Sequence, residues 1–329
     1  MIGNEIEIFG NLKIEWCRKF VKLENGIPSH DTFNRVFSLL DPKKFSELVM
    51  DLFSSNILEG LDLISIDGKT VRRSVDKKNN KFPIHIVSAW SSKNGISLGQ
   101  VKVNEKSNEI TAIPELLSQI KVKNSVVSID AMGCQKKIVE SIIESKGDYA
   151  ISLKENQPTV YKEVVNYFEK LMLSGFEGVN TGYSMTEEKG HGRIEKREYW
   201  LLTDIDWISK KEDWKGLKSV GMVRSEREYQ GKKSIECRYF ITSLTNTELF
   251  QKSVRTHWQI ENSCHWILDF AFREDESRIR EGYAAENFSI IRKIALNFLK
   301  NDTTFKNGVK AKRRAAGWDD KYRSKIIGF

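Results

Sequence analysis

The chain has 329 residues, of which 40% are hydrophobic and 30% are charged, a composition that argues against disorder and allows one large or two medium folded domains. Lys and Arg outnumber Asp and Glu by 53 to 45, which gives a net charge of +8 and a pI near 9.1. This excess favours a polyanionic partner, although a basic cytosolic enzyme would have the same composition.

Cysteine usage and hydropathy restrict the cellular compartments in which we expect the protein. The four cysteines are scattered without a CxxC pair, which argues against a disulfide framework and a zinc ribbon. No apolar stretch approaches the roughly 20 residues that span a bilayer, and the N-terminus lacks the basic-then-apolar pattern of a signal peptide. We therefore expect a protein with no membrane partner that is cytoplasmic, or located wherever the cell keeps its DNA.

The N-terminal part of the chain, residues 1–58, is predicted to be helical. Phe33, Val36, Phe37 and Leu40 recur at helical spacing and define one apolar face. A small helical region of this kind is either a DNA-binding module or a lid over a sheet, and the sequence slightly favours the lid.

From residue 61 to about 153 the pattern changes to strands and helices. LDLISID (61–67) and SVVSID (125–130) are almost entirely apolar, which is typical of strands buried on both faces. Two alternating strands and a helix lie between them, and a helix and a strand follow. This order matches an α/β fold with a ribonuclease H-like mixed sheet flanked by helices, in which the first and fourth strands are neighbours.

Residues 160–243 interrupt this core. A helical stretch leads into three candidate strands separated by glycine-containing turns, and a helical pattern resumes from residue 246. We therefore expect two regions, the N-terminal helical region of 1–58 and a catalytic domain of 59–329. Within the second, 160–243 is expected to form a β-rich insertion beside the active site.

Three acidic residues occupy positions typical of a nuclease metal site. Asp67 and Asp130 end the two apolar strands, and Glu261 lies in the later helix. Carboxylate oxygens are the hard ligands that Mg²⁺ accepts, and a pair of divalent ions clamps the attacking and leaving oxygens of a phosphodiester. The three residues therefore predict a catalytic site that binds two Mg²⁺ ions, with Mn²⁺ as the substitute, and that cuts and joins nucleic acid.

The helix around Glu261 allows more than one interpretation. His257, Glu261 and His265 follow i, i+4, i+8 spacing and share one face, with Cys264 beside them. In one interpretation Glu261 binds metal and the histidines support it or contact phosphate. In a second, His257, Cys264 and His265 form a zinc site, which lacks an obvious fourth ligand. In a third they are half-buried helix residues. Two neighbours are predicted to pack in the core: Trp258 and Trp266.

A series of motifs resembles a known family. In chain order they are PSHDTFNRVFSLLDP, IDGKTVRRS, EKSNEI, IDAMGCQ, YAISLKENQP, KGHGRIEKRE, HWQIENSCHWILD, FREDESRIR and AENFSIIRKIALN. Together they look like the motif series of DDE transposases and, more narrowly, of insertion-sequence transposases of the H-repeat-associated group. The resemblance runs from about residue 20 to the C-terminus.

The resemblance implies that Asp67, Asp130 and Glu261 form the DDE triad and that the chain cleaves double-stranded DNA at element ends and transfers the strand to a target. It also implies a homo-oligomer on DNA. Related transposases place a tyrosine, an arginine and a lysine around the glutamate, whereas His257 and Leu268 stand four and seven residues away here. Those phosphate-contact roles therefore do not carry over.

Family members carry further helical sequence before the point where this chain begins. We therefore expect a shortened N-terminal region. This expectation leaves two functional hypotheses open. The first is an active transposase, and the alternative is a catalytically idle DNA-binding remnant.

Basic residues follow the acidic positions closely, as contacts to DNA phosphates would require. Such contacts add affinity without reading sequence, although any one basic run is more often a solvated surface. The predicted DNA contacts are Lys69, Arg72, Arg73, Lys136, Lys137, His191, Arg193, Arg197, His257 and His265.

Overall fold

The fold is that of a computed structural model, which describes residues 2–54, 58–75, 82–104, 107–190 and 192–328. Within these ranges nine strands form one mixed sheet. They are β1 (Asp62–Thr70), β2 (His85–Ser91), β3 (Ile96–Lys102), β4 (Ser125–Ile129), β5 (Asp148–Leu153), β6 (Thr181–Gly190), β7 (Arg193–Leu202), β8 (Ser219–Tyr229) and β9 (Lys232–Thr242).

The strand order is β3-β2-β1-β4-β5-β9-β8-β7-β6. The first three strands pair antiparallel, and β1, β4 and β5 run parallel. The predicted α/β class and ribonuclease H-like order are therefore confirmed, including the pairing of the first and fourth strands. Ile66 pairs with Ile129, so Asp67 and Asp130 follow at the same end of neighbouring strands.

The β-rich part of residues 160–243 continues the same sheet. β6, β7, β8 and β9 form an antiparallel meander, and β9 pairs antiparallel with β5 through Ile151 and Ile241. The sequence predicted strands here but not their attachment to the core. The meander therefore extends the sheet on the side of β5, away from β1.

Helices cover both faces of the sheet. They are α1 (Ile2–Leu12), α2 (Ile14–Cys17), α3 (His30–Leu39), α4 (Pro42–Ser54), α5 (Glu109–Gln119), α6 (Lys136–Glu144), α7 (Pro158–Leu173), α8 (Thr247–His257), α9 (Trp266–Phe272), α10 (Ala284–Asn301), α11 (Val309–Trp318) and α12 (Asp320–Ile326). In the described part of the chain, no helix combines the length and the apolar character needed to cross a membrane.

The alternation of side chains along each strand divides the core into two layers. Ile64 and Ile66 of β1 pack with Ile113 of α5 and Ile138 of α6. Leu63, which points to the opposite face, packs in a second layer that contains α8. Helix α8, which leads to Glu261, therefore packs over β1 and β4 on the face of the sheet opposite α5 and α6.

The N-terminal helices α3 and α4 pack against helix α10. The rings of Phe37 and Phe288 lie 4.6 Å apart between centroids, and those of Phe53 and Phe298 lie 5.0 Å apart. The Asn287 amide donates to two backbone carbonyls at the end of α3. These contacts attach α3 and α4 to α10, and the division of the chain at residue 58 stays a prediction.

Candidate active site

Asp67 lies in the last part of β1, where the strand emerges from the core. Its carboxylate is mostly buried, and burial raises the pKa of Asp67 to about 7. The Gly68 backbone N–H opposes this rise, whereas the negative charges of Asp130, Glu109 and Glu261 add to it. A bound cation would stabilise the ionised form of such an acid, which is mostly buried and surrounded by other acids.

Glu261 and His265 reach Asp67 from a distorted segment of helix. Between α8 and α9, residues Glu261–His265 form a π-helical turn, and such turns inside α-helices are frequent at functional sites. Ligand atoms of Asp67, Glu261 and His265 all lie within 4.8 Å of one another. Within the described chain this is the single group of three or more metal-ligating side chains so closely spaced.

His265 belongs to this acid group rather than to a DNA-contacting surface. Its Nδ1 lies 3.3 Å from Oε2 of Glu261 and 3.5 Å from Oδ2 of Asp67. The side chain is buried, and burial lowers the pKa of His265 to about 3, with Lys293 and Lys69 adding to the effect. The predicted phosphate contact of His265 is therefore wrong, because a buried neutral imidazole presents no charge to DNA.

Asp130 lies beside this group but is engaged in a local contact. β4 ends at Ile129, and the Asp130 carboxylate accepts a hydrogen bond of 3.0 Å from the Met132 backbone N–H, capping a short 3₁₀ turn. Its charge contributes to the raised pKa of Asp67. The side chain is exposed, so it is accessible to a ligand as well as to the turn.

The donor set fits a hard divalent cation. Asp67 and Glu261 supply carboxylate oxygens, which suit Mg²⁺ or Mn²⁺, and His265 places a nitrogen beside them. The alternative zinc site at His257, Cys264 and His265 is not assembled. Cys264 is buried beside Trp90 and Leu268, and burial raises the pKa of its thiol to about 12, which disfavours the thiolate that zinc needs.

His257 faces the sheet instead of DNA. Its Nδ1 lies 3.1 Å from Oγ of Ser128 on β4, and burial lowers the pKa of His257 below its usual value. The predicted phosphate contact is thus replaced by a contact that ties α8 to the strand before Asp130.

Lys69 is committed to carboxylates of the chain. Its Nζ lies 2.7 Å from Asp269, 3.1 Å from Asp275 and 3.4 Å from Glu274. Burial disfavours the ammonium, but these carboxylates outweigh it and raise the pKa of Lys69. The predicted DNA contact is wrong for Lys69, since its side chain is only 12% exposed and its ammonium contacts three internal carboxylates.

Other predicted DNA contacts lie at the surface. Arg72 is 82% exposed and its Nε lies 3.2 Å from Asp275. Arg73 and Lys137 are exposed, and Lys136 pairs with Asp213 at 2.7 Å. These four side chains remain accessible to a phosphate.

The two arginines predicted on β7 differ from each other. Arg193 is exposed and lies 3.3 Å from the buried Glu195, whereas Arg197 is buried and pairs with Glu195 at 2.5 Å and Glu188 at 3.1 Å. Arg197 therefore fixes the strand rather than presenting a charge to DNA, which corrects its predicted role. His191 lies outside the described residues.

Comparison with known proteins decides the family. Residues 59–298 match the family described as "Transposase DDE domain", and residues 3–52 match the family described as "DDE_Tnp_1-associated". The chain belongs to the DDE transposase family.

Two relatives from Escherichia coli extend this match over nearly the whole chain. "H repeat-associated putative transposase YhhI" of strain K12 is 40% identical over 98% of this chain and 86% of its own length. "Putative transposase YncI" of O157:H7 is 40% identical over 98% of this chain and 84% of its own length. Among solved structures, a piggyBac transposase synaptic complex with hairpin DNA aligns with a TM-score of 0.44 and 11% identity, over 99% of this chain and 70% of that one.

The transposase carries a further acid beside its candidate centre that sequence reasoning missed. Glu109, at the start of α5, accepts from Nε2 of His85 at 2.6 Å, and both side chains press against Gly68. A Cβ at Gly68 would lie 2.5 Å from His85 Nε2, so any larger residue here would displace the His85 and Glu109 side chains. Glu109 could have been found from the sequence, because it lies in the SNEI part of EKSNEI, one of the motifs that carry the resemblance.

Two aromatic residues of the transposase are more exposed than predicted. Trp258 and Trp266 were expected in the core, but their side chains are 48% and 55% exposed. Trp266 stacks on Phe270 at 4.7 Å between centroids. The helical spacing places both tryptophans on the outer side of the helix, opposite Cys264.

Proposed function

We propose that this chain is an active transposase that cleaves double-stranded DNA at insertion-sequence ends and joins the freed strand to a target. In this proposal Asp67, Asp130 and Glu261 are the catalytic residues and hold two Mg²⁺ ions, with Mn²⁺ as the substitute. The observation that carries it is the convergence of Asp67 and Glu261 on one point at the end of β1.

The acid centre has the charge that such chemistry requires. Divalent ions bound there would activate a water or a 3′-hydroxyl and stabilise the leaving oxygen of the phosphodiester. Asp67 is buried among like charges, so it gains more from a bound cation than an exposed acid would. His265 is held neutral by burial, so its Nδ1 is able to act as a ligand or to hold Glu261 in place.

The remaining residues would orient DNA rather than react with it. Arg72 and Arg73 follow β1 at the surface, and Arg193 lies on the meander. Contacts from such side chains position the duplex without reading its sequence. The proposed site of action is the nucleoid in the cytoplasm, where the element DNA lies.

The test is incubation of the full chain with Mg²⁺ and DNA that carries the inverted repeats flanking its reading frame, with nicked and joined strands resolved on denaturing gels. Asp67→Ala and Asp130→Ala are expected to lower the cleavage rate by more than about 10³-fold, since several kcal/mol of charge stabilisation are lost. DNA binding should persist or strengthen, because a repelling charge is removed. Asp204→Ala, on the loop after β7, is the matched carboxylate control and should cleave normally.

The outcomes separate the hypotheses. Nicking that survives Asp67→Ala would show that the metal site lies elsewhere. Binding without nicking or joining, in either Mg²⁺ or Mn²⁺, would identify the chain as an idle DNA-binding remnant.

A further inference from the structure

A cleft opens beside the candidate metal centre, on the side away from the meander. It encloses about 410 Å³, a volume within the range of sites for small organic groups. Its walls come from the start of β2, the end of β3, the start of α5 and the turn after Asp130. Two of the segments that carry the family resemblance, SNEI and the end of FREDESRIR, line it, and neither supplies a proposed metal ligand.

One part of the cleft wall is apolar and open to solvent. Phe82 and Met132 both line it, and their side chains are 76% and 46% exposed. An exposed aromatic ring on a cleft offers a stacking surface for any nucleobase, because every base has a π-face. Met132 is two residues beyond Asp130, so this part of the wall lies close in sequence to the candidate metal centre.

Polar side chains elsewhere in the wall include groups that have no partner in the described chain. Asn108 uses its side-chain oxygen to cap α5 by accepting from Ile110 N–H. Among contacts within the described ranges, its amide nitrogen donates to no other group, and the exposed guanidinium of Arg280 has no ion-pair partner. An amide donor and a guanidinium are groups that bind a base edge and a phosphate.

The cleft is joined to the acid centre through Gly68. Glu109 and His85 line the cleft and also pack against Gly68, the residue that follows Asp67. A nucleotide in the cleft would therefore lie next to the phosphodiester that reaches Asp67.

We propose that this cleft binds one unpaired nucleotide of the reacting DNA end, with the base on the Phe82 ring and the phosphate at Arg280. This inference rests on the proposed function, since it assigns a subsite to the same DNA substrate. It extends that function from the cutting of a duplex to the capture of a base that has left the duplex.

The test compares two DNA probes in EDTA, so that no cleavage intervenes. Both are duplexes with a three-nucleotide single-stranded extension, which carries thymine bases in one probe and abasic residues in the other. By fluorescence anisotropy the full chain is expected to bind the thymine probe roughly tenfold more tightly, as one stacked base contributes. Phe82→Ala should reduce this ratio to about one without changing the affinity for the abasic probe.

Two further variants make the result specific. Trp318→Ala removes an aromatic side chain that is 78% exposed and lies outside the cleft, and it should keep the tenfold ratio. Arg280→Gln should weaken the binding of both probes and reduce the salt slope by about one. A 2-aminopurine in the extension should lose fluorescence on binding to the wild type but not to Phe82→Ala.

Several outcomes would overturn the proposal. A wild-type ratio of one, together with Asp67-dependent cleavage, would remove the nucleotide site and leave the proposed function intact. A tenfold ratio without any cleavage would keep the site and remove the proposed function. If Phe82→Ala changes the sedimentation of the protein but not the ratio, the cleft wall is a self-association surface and the proposal fails.

Discussion

Two groups of acidic residues flank the end of β1, and they differ in what neutralises them. Lys69 contacts the carboxylates of Asp269, Glu274 and Asp275. Two residues earlier on the same face of the strand, Asp67 meets Glu261 and His265. In the described chain no lysine or arginine lies within ion-pair distance of Asp67. The first group is complete within the protein, whereas the second leaves its charge for an external cation.

The difference separates a structural function from a chemical one. A buried cation with three carboxylate partners holds α9 and the following segment against β1, and removal of this cation would leave negative charge uncompensated. The Asp67 group gains little for folding from its own members, because they repel each other. Substitutions in the Lys69 group should therefore lower the free energy of unfolding, whereas substitutions in the Asp67 group should abolish stabilisation by a cation.

The largest effect is expected from Lys69→Met. It should lower the free energy of unfolding by about 3–5 kcal/mol, because three carboxylates lose their ammonium partner and the buried Glu274 keeps a cation only in Arg292, at 3.7 Å. Urea unfolding followed by circular dichroism measures the change. Lys136→Met removes an exposed pair with Asp213 and should cost less than about 1 kcal/mol. Equal losses for both variants would erase the contrast between the two groups.

A cation should stabilise the protein through the other group. At a free Mn²⁺ or Ca²⁺ concentration about 100 times Kd, folded protein gains about 2.7 kcal/mol, which is measured as a rise in Tm. Asp67→Asn should abolish this rise, whereas Asp269→Asn, in the Lys69 group, should keep it. A cation-dependent rise that persists in Asp67→Asn would mean that the ion binds at another site.

A smaller effect is expected from His265→Asn. Its imidazole contacts both carboxylates, and loss of such a group typically lowers metal affinity by about 10- to 100-fold. Calorimetric titration with Mn²⁺ measures the affinity directly. His257→Asn is the matched control, since His257 contacts Ser128 instead, and its smaller effect would locate the ion near His265.

The smallest effect extends the comparison to β7, where one arginine is internally paired and one is exposed. Arg193→Ala should change the free energy of unfolding by less than about 1 kcal/mol. In DNA-binding titrations over a range of salt concentrations, it should reduce the slope of log K against log salt by about one. An unchanged slope would remove Arg193 from the DNA-facing surface.

Local pattern was sufficient to predict the strands and the position of Asp67. A nearly continuous apolar run followed by Asp is information contained within a few residues, and the parallel pairing of β1 with β4 followed from the order of elements. The attachment of β9 to β5 was not predictable in this way, because nothing near either strand specifies its partner.

Side-chain partners were the main source of error. Lys69 was predicted to face DNA because basic residues follow Asp67, but its carboxylate partners Asp269 and Asp275 lie 200 and 206 positions away. Arg197 failed for a similar reason, since Glu188 reaches it from the neighbouring strand. Sequence shows where a charge stands along the chain, and the fold decides which opposite charge it meets.

The pairing of β9 with β5 also has a consequence for biogenesis. β5 ends at Leu153 and β9 begins at Lys232, so a ribosome at about 5–20 residues per second needs several seconds to supply the strand that covers it. Until then, β5 is an open edge with buried-type residues such as Ile151, and such edges template association with other chains. Once β9 has been synthesised, its pairing with β5 closes this edge.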